Sequence, residues 1–227
     1  MNLKLKALSL SLLAAVAASA FTVISASATT GGHFTSEVAH VTLTGTETPL
    51  EEHVTDLVIG GFTGINCTET SYTATTPLQA KTVDSLTVTP TYKKCETPAG
   101  KPDEVEWRMN GCDYVFTIGK SAANEDNTVD ISCPVGAVIE VLHPSCTIKI
   151  PPQNGLKGVA YTKVTELGVH ALTVDVTISG ITTHFEAGPC VFLGTKRTAQ
   201  LLGSFTLRGT NTNNEPVGIT ATGSDGT

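Results

Sequence analysis

The chain has 227 residues, a formal net charge of −7 and only 15% charged side chains, against roughly 25% in ordinary soluble domains. Apolar residues make up 40%, aromatics 5%, and threonine about one residue in six. This balance excludes a coiled coil and a collagen, argues against disorder because mean hydropathy is +0.11, and disfavours nucleic acid, which needs a basic footprint.

The chain begins as an export signal. Lys4 and Lys6 form a short positive segment. An apolar stretch follows from Ala7 to about Ile24 and ends in Ala26-Ser27-Ala28, the small-x-small pattern cut by signal peptidase. The expectation is cleavage after Ala28 and a single domain over residues 29–227, without the two lysines and with formal charge −9. A membrane anchor is the alternative, but no basic stop-transfer cluster follows and no second apolar run of spanning length exists.

From there the chain reads as strands. Residues 39–46 alternate, with Val41 and Leu43 on one side. The 53–59 segment is apolar and ends at Gly60-Gly61, and 65–74 is threonine-rich around Cys67 and Tyr72. Leu86, Val88, Pro90 and Tyr92 share one parity in 82–92; Val83 breaks it, which predicts a bulge near Asp84-Ser85. Val105, Trp107 and Met109 alternate against Glu104, Glu106 and Arg108. Segments 112–118, 129–133, 135–142 and 146–150 follow. Then come 158–164, 170–178, 181–185, 201–208 and 217–222, with Leu172, Val174, Val176 and Ile178 opposed to Thr173, Asp175 and Thr177. The tail is polar from Asn211 and is expected to fray after Thr222. Threonine and valine disfavour helix and suit strands for the same χ1 reason. The fold class is therefore all-β: an antiparallel β-sandwich or flattened barrel of about 12–13 short strands. Val41-Thr-Leu-Thr-Gly-Thr-Glu-Thr48 echoes Phe205-Thr-Leu-Arg-Gly-Thr-Asn-Thr212, a strand-turn similarity rather than a repeat.

Six cysteines, Cys67, Cys95, Cys112, Cys133, Cys146 and Cys190, lie beyond the signal segment. None is spaced as a zinc or Cys-x-x-Cys site, so an exported chain with an even count reads as a disulfide framework. Folding the polar loop 121–127 as a hairpin brings Cys112 to Cys133. Chain order then favours Cys67–Cys95 and Cys146–Cys190, with Cys95–Cys112 across the 98–103 turn as the rival.

The chemical motifs are sparse. Glu51-Glu52-His53 with Asp56 is the densest ligand-type cluster and reads as a charged strand entry, since adjacent strand residues face opposite ways. Asn124-Glu125-Asp126-Asn127 with Asp130 has calcium-type oxygens without EF-hand spacing. His184 and Glu186 share one side of a strand with no third partner, and Trp107 has core parity. No catalytic, cofactor or metal residue is assigned. Paired glycosidase carboxylates would meet only in three dimensions.

Thr42-Leu-Thr-Gly45, Ile65-Asn-Cys67, Thr87-Val-Thr-Pro-Thr-Tyr92 before Cys95, Asn110-Gly-Cys112-Asp-Tyr114 and Val129-Asp-Ile-Ser-Cys-Pro134 occur in this order. They are followed by Cys146-Thr-Ile-Lys-Ile-Pro-Pro-Gln153, Pro189-Cys190 and Thr206-Leu-Arg-Gly209. The series resembles a group of uncharacterised secreted six-cysteine β-rich proteins of soil actinobacteria. The resemblance implies a secreted all-β fold and carries no activity. The expected function is a non-catalytic binding or cell-surface component, with a cell-envelope or extracellular ligand as partner. The alternatives are a secreted hydrolase, or a protease inhibitor presenting the 98–103 segment.

Overall fold

The computed structural model describes residues 31–47, 55–59, 64–75, 80–97, 104–124, 126–166, 168–186 and 196–226. Among them the chain forms sixteen strands and no helix. The first eight are β1 (His33–Ser36), β2 (Thr42–Glu47), β3 (Thr55–Ile59), β4 (Ile65–Thr75), β5 (Thr82–Val83), β6 (Ser85–Glu96), β7 (Glu106–Arg108) and β8 (Asp113–Thr117). The rest are β9 (Asn127–Ser132), β10 (Ile139–His143), β11 (Cys146–Ile150), β12 (Gln153–Glu166), β13 (Val169–Glu186), β14 (Lys196–Thr210), β15 (Pro216–Val217) and β16 (Ile219–Thr222).

Eight of them close an antiparallel barrel in the order β14-β2-β4-β6-β8-β9-β12-β13, with β13 returning to β14. This realises the barrel rather than the sandwich form of the expected all-β fold. Four of these strands run on beyond this barrel: β4, β6, β13 and β14, with 11, 12, 18 and 15 residues. At about 3.4 Å per residue β13 runs about 60 Å, twice or more the length of an ordinary strand. Their other halves build a second ring. There β3 joins β14 to β4, the Cys95–Val105 bridge joins β6 to β7, and β10 and β11 lead back to β13. The molecule is thus two stacked rings that share four strands.

The rings meet at a waist where three of the shared strands change parity. On β4 the buried positions change parity at Thr68-Glu69, on β6 at Lys93-Lys94, where Lys94 has φ of 50°, and on β13 at Ser179-Gly180, where the register slips against β14. On β13 an inserted residue bends the strand and re-aims its side chains, whereas β4 and β6 change parity together and stay in register, with Cys67 opposite Cys95 and Glu69 opposite Lys93. β4, β6 and β13 thus serve two differently oriented rings, and β14 crosses the waist with its parity unchanged. Beside the waist, Gly158 has φ of 109° and its Cβ would meet the Thr177 carbonyl oxygen at 2.5 Å, so only glycine fits.

A three-stranded sheet, β16-β1-β5, covers the outer end of the first ring. Phe34 of β1 inserts edge-on against Tyr161, with centroids 5.3 Å apart. Val83 belongs to this sheet, so the parity break at Asp84-Ser85 is a change of sheet and not the expected bulge. Nor is the polar tail loose: Ser224 and Asp225 donate amides to the Gly119 and Lys120 carbonyls at 3.3 and 3.0 Å. The expected strand count also changes. Segments 170–178 and 181–185 are one strand, since Gly180 at φ 79° carries a bulge rather than a turn. The 135–142 segment is strand only from Ile139, because a turn closes with the Ala137 amide on the Pro134 carbonyl at 2.9 Å. The two echoing segments are hydrogen-bonded neighbours, with Leu43 opposite Gly209 and Gly45 opposite Leu207.

Cys67 is bonded to Cys95 and Cys112 to Cys133, each across adjacent strands. Cys146 is also disulfide-bonded, and its expected partner Cys190 lies outside the described residues. No helix among the described residues is long and apolar enough to cross a membrane.

Candidate functional site

The barrel interior is filled. Its first ring packs aromatic rings: Tyr72 stacks on Phe205 at 3.8 Å, and Phe116 meets both Phe205 and Tyr161. At the waist Tyr92 lies on Trp107 of the second ring at 4.2 Å. Among the described residues, one internal cavity of about 10 Å³ is lined by Tyr72, Tyr92, Tyr114 and Phe205, and another of the same size by Trp107, Ile131, Ile150 and Ile181. That is room for about one water, whereas small-molecule pockets measure roughly 300–1,000 Å³. The interior is core, and Trp107, 8% exposed, is part of it as its parity predicts.

Buried phenols occupy the waist. The Tyr92 hydroxyl donates to the Tyr114 hydroxyl at 3.1 Å. Burial pushes Tyr114 up to about 12 and holds Tyr72, Tyr92 and Tyr161 well above the ordinary phenol value too, so all four are neutral at ordinary pH. From there a hydroxyl chain runs outward: Thr70 donates to Thr55 at 3.4 Å, and Thr55 to the Glu47 carboxylate at 3.1 Å. Burial raises the Glu47 carboxyl, partly offset by these bonds.

That chain ends in a groove of about 320 Å³ on the outer surface, lined by Thr46, Glu47, Thr68, Glu69, Thr70, Ser71 and Lys93. The topology explains it. β2 pairs with β4 from Ser71 onward and β3 pairs with it up to Cys67, so Thr68–Thr70 lie outside both ladders. The parity change of β4 falls in this gap, where Thr68 and Glu69 are both exposed. Glu69 is ion-paired with Lys94. Glu47 and Glu69 are far apart in sequence, and only the pairing of β2 with β4 brings them to one groove.

A second polar cluster sits at the far end of the second ring. Thr97 donates to Glu104 at 2.7 Å, and Glu104 lies 3.4 Å from His143 Nε2. The Ser145 amide donates to His143 Nδ1 at 3.2 Å, and the Ser145 hydroxyl is 2.6 Å from the same nitrogen. A nitrogen that accepts an amide proton carries the lone pair, so this pattern assigns the ring proton to Nε2, facing Glu104. The hydroxyl, imidazole and carboxylate stand in the order of a serine–base–carboxylate relay. They also fasten the two-residue turn between β10 and β11.

The sequence candidates fare differently. Residues 51–53 and 98–103 lie outside the described residues. In the calcium-type cluster, Asn127 is fully buried and spends its amide on the Ala122, Asn124 and Val159 carbonyls, Asp130 accepts the Gly155 amide, and Asp126 faces Lys157. These residues serve separate partners rather than one centre, and Glu125 lies outside the described residues. Glu186 is ion-paired with Lys149 at 2.6 Å. Among the described residues no three His, Cys, Asp or Glu side chains converge as a metal site. The groove and the Glu104–His143–Ser145 line escaped sequence reading because both depend on strand pairing.

No family model, curated protein or solved structure matches this chain.

Proposed function

We propose that this protein is secreted after cleavage behind Ala28 and acts outside the cell as a non-catalytic binding or cell-surface component. The observation that carries this reading is the filled barrel. The two internal cavities described are of about 10 Å³ each, so a partner of the described residues would meet their exterior. The bonded cysteines support an oxidising compartment, and the sequence resemblance to the secreted actinobacterial group points the same way. The test is export and retention. Expressed with its own leader, the protein should leave the cytoplasm with Thr29 as its first residue and co-sediment with washed cell envelopes or extracellular matrix. A cytoplasmic product starting at Met1 refutes the export half; a product that sediments with nothing refutes the binding half.

One arrangement favours a second reading, a secreted hydrolase: the Ser145 hydroxyl 2.6 Å from His143, with Glu104 behind the ring. Reaction of Ser145 with a fluorophosphonate probe, lost in His143→Ala, would support it. An unlabelled wild-type protein would leave the cluster as a turn fastening.

A further inference from the structure

The groove at the waist continues into a regular polar face. Thr46, Ser71 and Thr91 stand opposite one another across β2, β4 and β6, and Thr44, Thr73 and Thr89 form the next row. All six are exposed. Thr89 donates to Asp113 at 2.6 Å and Thr46 accepts from Arg208 at 3.3 Å. The hydroxyls of Thr44, Ser71, Thr73 and Thr91 have no protein partner among the described residues.

We propose that this groove and the hydroxyl rows beside it form a binding site for a neutral oligosaccharide of the extracellular surroundings. The inference rests on the reading of the protein as an extracellular binding component and names its ligand class. The chemistry selects that class. A sugar presents hydroxyls that both donate and accept, and the site answers in kind. Glu47 and Glu69 accept, Lys93 donates, and Thr46, Thr68 and Ser71 do either. A phosphate or sulfate group would meet the Glu47 and Glu69 carboxylates beside Lys93, with Lys94 already paired to Glu69, so the groove offers an anion no net positive charge. No lining residue is hydrophobic, yet threonine methyls and side-chain stems make up as much of the wall as polar atoms do, which suits a ligand with both hydroxyl and C–H surface rather than a purely apolar one. The volume of about 320 Å³ lies at the lower end of the range for small-ligand sites. Beyond the groove, the strand positions from Thr46 to Thr42 extend the polar track by about 13 Å, a path suited to a chain rather than a single ring. Glu47 is held in place from behind by Thr55 at 3.1 Å, so one wall of the groove is fixed before any ligand arrives.

The experiment is a titration of the disulfide-intact secreted protein, followed by amide chemical shifts, with cellohexaose, maltohexaose, mannohexaose and chitohexaose. The expected result is that at least one of the four shifts amides of β2, β4 and β6 around Thr46, Thr68–Ser71 and Thr91. Thr46→Val with Ser71→Val should weaken that binding about tenfold, the loss expected for a few hydrogen bonds. Glu69→Gln should weaken it as well, and Thr162→Val, exposed on β12, should leave it unchanged. Both replacements by valine suit a strand, and an unaltered spectrum elsewhere shows that the variant is folded. Absence of binding by all four sugars overturns the proposal, as do shifts confined to another face and a double variant of unchanged affinity. Co-sedimentation with cell envelopes separates the two levels. If the double variant sediments as the wild type does, the extracellular binding role stands and this site falls. If neither sediments, the broader reading fails too.

Discussion

The two rings share four strands and differ in almost everything else. Inside, the first ring is aromatic, with Tyr72, Tyr114, Phe116, Tyr161 and Phe205, while the second is mostly aliphatic, with Ile59, Ile65, Ile139, Ile148, Ile150 and Ile181 around Trp107. Outside, the first ring presents threonine rows on β2, β4 and β6. The second presents a ladder of charge: Arg108 stands opposite Glu140, Glu140 opposite Lys149, and Lys149 opposite His184, which faces Lys196. The face of β2, β4 and β6 is thus poor in charge, whereas ion pairs such as Arg208–Glu166 and Lys157–Asp126 lie on or beside other strands of the same ring. Threonine keeps a sheet face polar without committing it to an electrostatic partner, whereas the charged ladder satisfies itself across neighbouring strands.

Shared strands should make the two rings one cooperative unit, and the largest predicted effects test that. Phe205→Ala removes a ring stacked on Tyr72 in the first ring and should cost about 4 kcal/mol; Ile148→Ala, in the second, should cost about 3 kcal/mol. Both should shift a single transition. The protein carries its own probes, because its one tryptophan, Trp107, sits in the second ring and Tyr161 and Tyr72 in the first. Trp107 fluorescence and tyrosine near-ultraviolet dichroism should give one denaturant midpoint in the wild type and in both variants. Separate midpoints would split the molecule into two folding units. The disulfides extend the test at slightly lower cost. Cys112–Cys133 joins β8 to β9 within the first ring, and Cys67–Cys95 joins the shared strands β4 and β6. Their separations of 21 and 28 residues predict nearly equal losses of about 3 kcal/mol on replacement by alanine.

What the sequence disclosed of this architecture was parity, and what it concealed was pairing. The inward set Leu172, Val174, Val176 and Ile178 is legible because strand side chains alternate sides whatever the neighbouring strand is. The same rule placed Trp107 in the core and made Cys112 and Cys133 meet. It could not show that Ser179-Gly180 continues a strand, because a bulge and a turn use the same small residues. β1 is only four residues long, and its one large inward side chain, Phe34, gives no period to count. The groove was still less accessible. Glu47 and Glu69 meet because β2 lies beside β4 and the ladder breaks at the waist, a long-range outcome that no window of sequence contains. The echo between residues 41–48 and 205–212 did hint at the barrel closure, since those segments are the neighbours β2 and β14.

Alkaline titration distinguishes the rings more gently. The native phenols of Tyr72, Tyr92, Tyr114 and Tyr161 ionise above the ordinary tyrosine value of 10, with Tyr114 near 12. A raised native value means that the folded state holds the proton more tightly. The stabilisation is complete below pH 10 and drains away as pH rises from 10 through 12, where the unfolded chain loses protons first. Tyrosinate absorbance should therefore appear together with unfolding and not before it. Tyr114→Phe should narrow this pH dependence, while replacements in the second ring should leave its shape intact.

The smallest effects belong to the charged ladder. Lys149 contacts Glu186 at 2.6 Å and Glu140 at 3.9 Å, and Arg108 makes a two-point contact with Glu106 at 2.7 Å. Both cations face water, where ion pairs contribute little because solvent and salt screen them. Lys149→Ala and Arg108→Ala should thus leave the denaturant midpoint within experimental scatter. Lys149→Glu is the sharper variant. It sets a third carboxylate between Glu140 and Glu186, so the midpoint should fall, and the fall should be relieved by added salt. The threonine face predicts the opposite behaviour. Thr73→Glu introduces a charge with no like charge opposite it, since Thr44 and Thr89 are its cross-strand neighbours. Its midpoint should move little and should not respond to salt. A salt-sensitive Thr73→Glu together with a salt-insensitive Lys149→Glu would reverse the assignment of the two faces and remove the electrostatic distinction between the rings.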